Sequence, residues 1–198
     1  MSLKLDRRDV FIRGNFNPHI LSPEWLARQE IWMPDSVRFG MGFLREGIQF
    51  RSPSVEWLID TEGLVVSSLE ENCGEFAAKV LEALPHTPIT AVGNNFNYVG
   101  KVSQWFDSPL SPLLAINPQT FGPELPLEES VWTGTFRHGQ AQVVVMVATG
   151  TNDEDSVFFN FHRPALHMTG TAIQAARQFS EDQAASRGLL AQLFPGWE

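Results

Sequence analysis

Three short motifs hold the side chains of this sequence that are best suited to binding a ligand. Each places amide or imidazole groups around a phenylalanine: Asn15-Phe16-Asn17, Asn95-Phe96-Asn97 and Asn160-Phe161-His162. Asparagine is depleted in strands, so its presence in segments that otherwise predict apolar strands needs a physical reason. One hypothesis is that three strand ends bring these side chains to one polar site, where the amides exchange hydrogen bonds with a ligand.

This hypothesis names five candidate ligand-binding residues: Arg13, Asn15, Asn95, Asn160 and His162. The arginine could pair with a carboxylate of the ligand. The alternative is that each asparagine satisfies backbone groups where its strand stops, which is the commoner role of this residue.

The sequence identifies no catalytic residues. It contains no Gly-rich phosphate loop, no G-x-S-x-G elbow, no C-x-x-C pair and no H-E-x-x-H helix, and no local spacing ties a nucleophile to a base. These absences count against nucleotide enzymes and zinc peptidases. They leave open an enzyme whose residues converge from distant strands.

No cofactor and no metal site are predicted. His162 and His167 have a spacing that fits neither one strand face nor one helix face. The acidic run Asp153–Asp155 lacks the glycine and terminal glutamate of an EF-hand, so a solvated loop is the preferred interpretation. Cys73 is the only cysteine, which excludes an internal disulfide. It is either a small residue near a helix start or a reactive thiol whose pKa the helix lowers.

The charge balance narrows the range of partners. The 14 basic and 23 acidic residues give a formal net charge of −9, which argues against nucleic acid and against an anionic membrane. The longest apolar run, residues 143–148, is far shorter than the roughly 20 residues that span a bilayer. No N-terminal signal pattern is visible, so we expect a cytoplasmic protein.

Two hypotheses for function follow. The missing catalytic motifs and the 6 tryptophans slightly favour a non-catalytic interaction protein that forms a homo-oligomer or binds another protein. The alternative is a small-molecule-binding protein or enzyme, with the five candidate residues forming a polar site at the strand ends.

The elements that must position these residues can be predicted from periodicity. Residues 9–16 alternate like a strand, and Ser22-Pro23-Glu24 is typical of a helix start. Residues 55–59 and 64–69 are predicted to form a hairpin. Residues 73–84 carry apolar rows at helical spacing after Asn72 as the cap.

The second half predicts mostly strands. Residues 88–96 are predicted as a strand, followed by a short helix or turn over 99–106. Residues 131–138, 140–148 and 156–162 are predicted to form an antiparallel meander. The valine-rich centre of the second of these is typical of a strand that is covered on both faces.

The tail is predicted to be helical. A capping box over Ser180–Gln183 divides it into helices near 168–179 and 181–194. The order of elements departs from the strict alternation of a doubly wound fold.

The sequence therefore predicts the α+β class, with a single twisted, largely antiparallel sheet and helices packed mainly on one face. Residues 1–198 are expected to form one domain. Its middle contains a proline-rich packed connection at 107–130, where 5 of the 13 prolines lie.

Overall fold

Alternating apolar and polar residues give the chain a single large antiparallel sheet. The structure, a computed structural model, describes residues 2–33, 40–43, 47–101, 129–150, 155–165 and 168–195. Within these ranges the sheet has nine strands in the order β2-β3-β4-β5-β1-β6-β9-β8-β7. The strands are β1 Ser2–Gly14, β2 Gly40–Phe43, β3 Gly47–Arg51, β4 Glu56–Asp60, β5 Gly63–Ser67, β6 Ile89–Lys101, β7 Glu129–His138, β8 Ala141–Gly150 and β9 Asp155–Pro164.

Two of the four described helices, α1 and α2, begin at side-chain caps that the sequence supplies. They are α1 Pro23–Arg28, α2 Cys73–Ala83, α3 Thr169–Arg177 and α4 Phe179–Leu193. The Ser22 hydroxyl accepts a hydrogen bond from the Trp25 N–H at 3.2 Å, and the Asn72 side chain accepts one from the Gly74 N–H at 3.0 Å. The predicted capping box at Ser180 is wrong. Helix α4 starts one residue earlier, at Phe179, because it follows α3 almost without a break and has no side-chain cap.

Helices α2, α3 and α4 contact the same side of the sheet, which we call the helix-covered face. Trp32, just after α1, stacks on Phe50 of β3 with ring centroids 5.6 Å apart. Phe76 of α2 lies 5.9 Å from Trp57 of β4, and Phe179 of α4 lies 5.1 Å from Phe96 of β6. The predicted α+β class with a largely antiparallel sheet is confirmed. We call the other side of the sheet the open face.

The two central strands are longer than the sequence predicts. Strand β1 begins at Ser2, and β6 runs through Lys101, so the helix or turn predicted from residue 99 is wrong for residues 99–101. The two strands pair almost from end to end, with Leu3 opposite Gly100. Ladder hydrogen bonds between them hold residues whose local sequence gives no strand signal.

Two further sequence-based predictions concern the second half of the chain. The meander of β7, β8 and β9 is confirmed, but β8 is not covered on both faces. Val145 is buried, whereas Met146 on the open face is 38% exposed. The proline-rich connection lies outside the described residues, apart from residues 129 and 130, which begin β7.

A buried polar cluster attaches the last two helices to the sheet. Arg163 of β9 donates from both terminal nitrogens to the two oxygens of Asp182 in α4, each at 2.6 Å. Asn94 of β6 donates to the same carboxylate at 2.7 Å and to the Ala175 carbonyl of α3 at 3.1 Å. Since Asp182 is only 2% exposed, this pairing fixes how α3 and α4 sit on the sheet.

Replacing one partner of this pair should strongly destabilise the fold. Asp182→Ala leaves the Arg163 charge buried without a counter-charge, so we expect the free energy of unfolding to fall by about 3–5 kcal/mol. Urea denaturation followed by far-UV circular dichroism measures this change. The control is Arg177→Ala, which removes the half-exposed pair with Glu82 and should cost about 1 kcal/mol or less. Equal losses in the two variants would contradict the assigned role.

Candidate functional site

A row of polar side chains crosses the open face at the centre of the sheet. Asp9 of β1, Asn95 of β6 and Asn160 of β9 lie directly opposite one another in the strand registers. The Asn95 amide donates to the Asp9 carboxylate at 2.7 Å, and the Asn160 amide donates to the Asn95 oxygen at 2.6 Å. The register therefore joins three strands through side chains as well as through their backbones.

An arginine extends this row at the neighbouring position of β1. The Nε atom of Arg7 donates to the second oxygen of Asp9 at 2.9 Å. The Arg7 side chain is 60% exposed, whereas that of Asp9 is 8% exposed. No other described residue accepts a hydrogen bond from Arg7. Its two terminal nitrogens are therefore held in a fixed direction while remaining available to a ligand.

Gly93 provides the room that Asn160 needs. A Cβ atom built at Gly93 would lie 2.9 Å from the Nδ2 atom of Asn160, which is closer than atoms of these types normally approach. Because the Asn160 amide is bonded to Asn95, a side chain at position 93 would push this amide from its place in the polar row. The glycine therefore favours the arrangement that the row adopts.

Burial raises the pKa of the Asp9 carboxyl above its ordinary value of 3.8, while the hydrogen bond from Asn95 and the charge of Arg7 act to lower it. The folded protein therefore holds the Asp9 proton more tightly than the unfolded chain does. Protonation of Asp9 therefore stabilises the folded state fully below pH 3.8, and this stabilisation is lost as the pH rises through the raised pKa.

The polar row forms one side of a concave site that we call the open-face pocket. Its volume is about 430 Å³, and it is lined by Arg7, Asp9, Phe11, Val65, Asn95, Asn97 and Phe158. This volume is within the usual range for small-molecule sites. The lining combines apolar side chains with buried amide and carboxyl groups, so it could hold a ligand with one apolar part and one polar part.

The structure brings together only some of the sequence-predicted site residues. Asn95 and Asn160 are hydrogen-bonded to each other. His162 lies one position further along the same face, opposite Gly93. Arg13 is four residues from Asp9 on β1, or about 13 Å along an extended strand.

Asn15 lies outside this site altogether. It follows the end of β1, where its N–H donates to the Pro88 carbonyl at 3.0 Å. It lines a different cleft, of about 380 Å³, together with Asn17 and His86. The ligand-binding role of the five predicted residues stays a prediction.

Sequence reasoning missed Arg7, Asp9, Phe11, Asn97 and Phe158. Arg7, Asp9 and Phe11 occupy every second position of β1, and this alternation is the signal that could have identified them. Lys4, Asp6 and Arg8 hide the signal, because they make the start of the strand polar on both faces.

Cys73 lies at the start of α2, but it is shielded from water. Its sulfur contacts the carbonyl oxygens of Ser68 and Glu71, each at 3.8 Å. Burial raises the pKa of the Cys73 thiol to about 12. The interpretation as a small structural residue therefore fits the structure better than that of a reactive thiol.

The described ranges contain neither a candidate metal site nor a membrane-spanning helix. No group of three or more His, Cys, Asp or Glu side chains there could hold a metal ion. No helix in the described part of the chain is both long enough and apolar enough to cross a bilayer.

Comparisons with known proteins add no family. No protein-family model matches the chain, and a search of curated proteins finds no significant match. Function must therefore be inferred from the geometry and chemistry of the site itself.

The pKa of the Asp9 carboxyl should be higher than its ordinary value. In a carbon-13 NMR titration of the aspartate carboxyl groups, we expect its midpoint above 3.8. Asn95→Ala should raise that midpoint further, because the carboxylate then loses a stabilising hydrogen bond. Asn17→Ala, which removes an exposed amide away from the pocket, should leave it unchanged. A wild-type midpoint at or below 3.8 would show that burial does not control this group.

The Cys73 thiol should be unreactive in the folded protein. We expect slow reaction with an aromatic disulfide reagent at pH 8 and rapid reaction after unfolding in urea. A matched control moves the thiol to the surface: Leu69→Cys combined with Cys73→Ser uses a position that is 54% exposed and should react at once. Rapid labelling of the native wild-type protein would contradict the burial.

Proposed function

We propose that the protein binds a small carboxylate with an apolar or aromatic body in the open-face pocket. The observation that carries this proposal is a buried polar row beside a cavity on the face that no described helix covers. Asp9 and Asn95 are 6% and 9% exposed, although open-face side chains of a sheet usually contact water. A hydrogen-bonded row of this kind is typical of a site whose polar groups are held ready for a ligand.

The hydrogen bonds of the asparagines support this proposal over the strand-end alternative. Asn95 and Asn160 lie within β6 and β9, where both strands continue on either side of them. Their side chains bond to each other and to Asp9 rather than to backbone groups at a strand terminus. Satisfying the end of a strand therefore does not explain them.

Arg7 supports the choice of a carboxylate. Its guanidinium is oriented by the bond to Asp9 and keeps both terminal nitrogens for another acceptor. Such a planar fork matches the two oxygens of a carboxylate.

The walls of the pocket support an apolar or aromatic body for the ligand. Phe11 is 37% exposed and, together with Phe158, lines the cavity on either side of β6. Asn97 lies between Arg7 and Phe158 in the register, and its amide bonds to no other described residue. A ligand ring could rest against Phe158, the phenylalanine on the Arg7 side of the polar row, while the Asn97 amide bonds to a polar substituent.

Binding of 2-naphthoate tests this proposal. We expect saturable binding by isothermal titration calorimetry, with Arg7→Gln weakening it about tenfold or more because a charge-assisted hydrogen bond is lost. Arg28→Gln changes an exposed residue at the end of α1 that does not line the pocket; it is the matched control and should bind like the wild type.

A neutral analogue separates the two parts of the site. The alcohol 2-naphthalenemethanol should bind wild type and Arg7→Gln equally, since it engages only the apolar walls. The proposal fails if naphthoate does not bind, or if Arg7→Gln and Arg28→Gln bind it equally well. Native mass spectrometry of the purified protein would show independently whether a small anion is already bound.

A further inference from the structure

Strand β7 has an edge that pairs with no other described strand, and this edge points to self-association, which goes beyond ligand binding. We propose that two copies of this chain join their sheets by antiparallel pairing of β7 with β7 around a two-fold axis at Thr133. The partner is therefore a second copy of this chain, and the two copies would be joined by backbone hydrogen bonds along the whole edge.

Strand β7 lacks the devices that normally protect a sheet edge. Within the described residues it pairs with β8 alone, and it does so in unbroken register from Glu129 to His138. Residues 130–136 contain no proline and no charged residue, and the register shows no bulge. Long, regular and uncharged edges of this kind are templates for pairing with another strand.

The backbone alternation of the hairpin decides which groups face outward. The loop Gly139-Gln140 joins β7 to β8, with His138 opposite Ala141. In a two-residue hairpin the pair that closes the loop is hydrogen-bonded, and such pairs then alternate along the ladder. The N–H and C=O groups of residues 129, 131, 133, 135 and 137 therefore point away from β8.

A register centred on Thr133 pairs all five of these outward residues. It places Thr133 opposite itself, Val131 opposite Thr135, and Glu129 of one copy opposite Arg137 of the other. A shift of two residues in either direction leaves one end unpaired and sets the remaining charged residue opposite an uncharged one, either Arg137 opposite Val131 or Glu129 opposite Thr135. Only the centred register both uses the full edge and sets opposite charges against each other, an arrangement that stabilises cross-strand pairs.

From residue 131 onward, the open-face side chains of β7 are exposed to water along the same edge. Val131 is 53% exposed, and Thr133 and Thr135 on the same face are exposed too. In the dimer each Val131 would pack beside a Thr135, and the two Thr133 side chains would meet at the axis. Threonine pairs and pairs with β-branched residues are favourable in this position.

Sedimentation velocity over a range of protein concentrations tests the proposal. We expect the wild type to be dimeric at high concentration. Thr133→Pro should be monomeric, because proline removes the two central hydrogen bonds while its missing N–H faces away from β8, a position that edge strands tolerate. Thr133→Ser keeps the N–H and should remain dimeric. Circular dichroism and 2-naphthoate binding should be unchanged in both, since the pocket lies on strands well removed from β7.

A charge exchange tests the register without risk to the fold. Arg137→Glu sets like charges opposite each other at both ends of the pairing and should weaken the dimer about tenfold. Adding Glu129→Arg to the same chain restores opposite charges and should recover the dimer. The proposal is overturned if the wild type stays monomeric at every concentration, if Thr133→Pro dimerises like the wild type, or if the double exchange does not recover what the single one loses.

Discussion

The structure depends on the buried pairing of Arg163 with Asp182. Both groups are removed from water, so neither charge can be lost alone without leaving the other uncompensated. Asn94 adds a bond to the same carboxylate from the neighbouring strand. The Nε atom of Arg163 is buried and has no hydrogen-bond partner among the described residues. The cluster therefore constrains geometry more than it adds net stability, and it holds α3 and α4 on one face of the sheet.

Strand β6 contributes side chains both to the Arg163–Asp182 cluster and to the open-face pocket. Successive side chains of a strand point to opposite faces, so Asn94 reaches the helices while Asn95 reaches Asp9 on the other side. Strand β9 repeats the arrangement, with Arg163 on the covered face and Asn160 on the open one. The two strands that hold α3 and α4 in place are thus the same strands that hold the polar row. The same two strands therefore carry buried hydrogen-bonded side chains on both faces of the sheet.

Sequence patterns predicted the elements that have their own periodicity, such as α2 and the β7–β9 meander, and the α+β class that follows from them. They also singled out Asn95 and Asn160, because amides inside apolar strands are conspicuous. They missed Arg7, which precedes the segment predicted as a strand, and Asp9, which is the first residue of that segment. Asn15 lies apart from the other candidates because it follows the end of β1. Antiparallel register decides which residues meet, and register depends on distant partners.

The absence of a side chain at Gly93 links two positions that are far apart in the sequence. A methyl group there would lie 2.9 Å from the Nδ2 atom of Asn160, so the amide would have to shift at the third strand of the row. A larger residue at position 93 therefore favours a compensating change at position 160. Among descendants of this protein, the glycine and the amide should be kept together or lost together, as a single inherited unit.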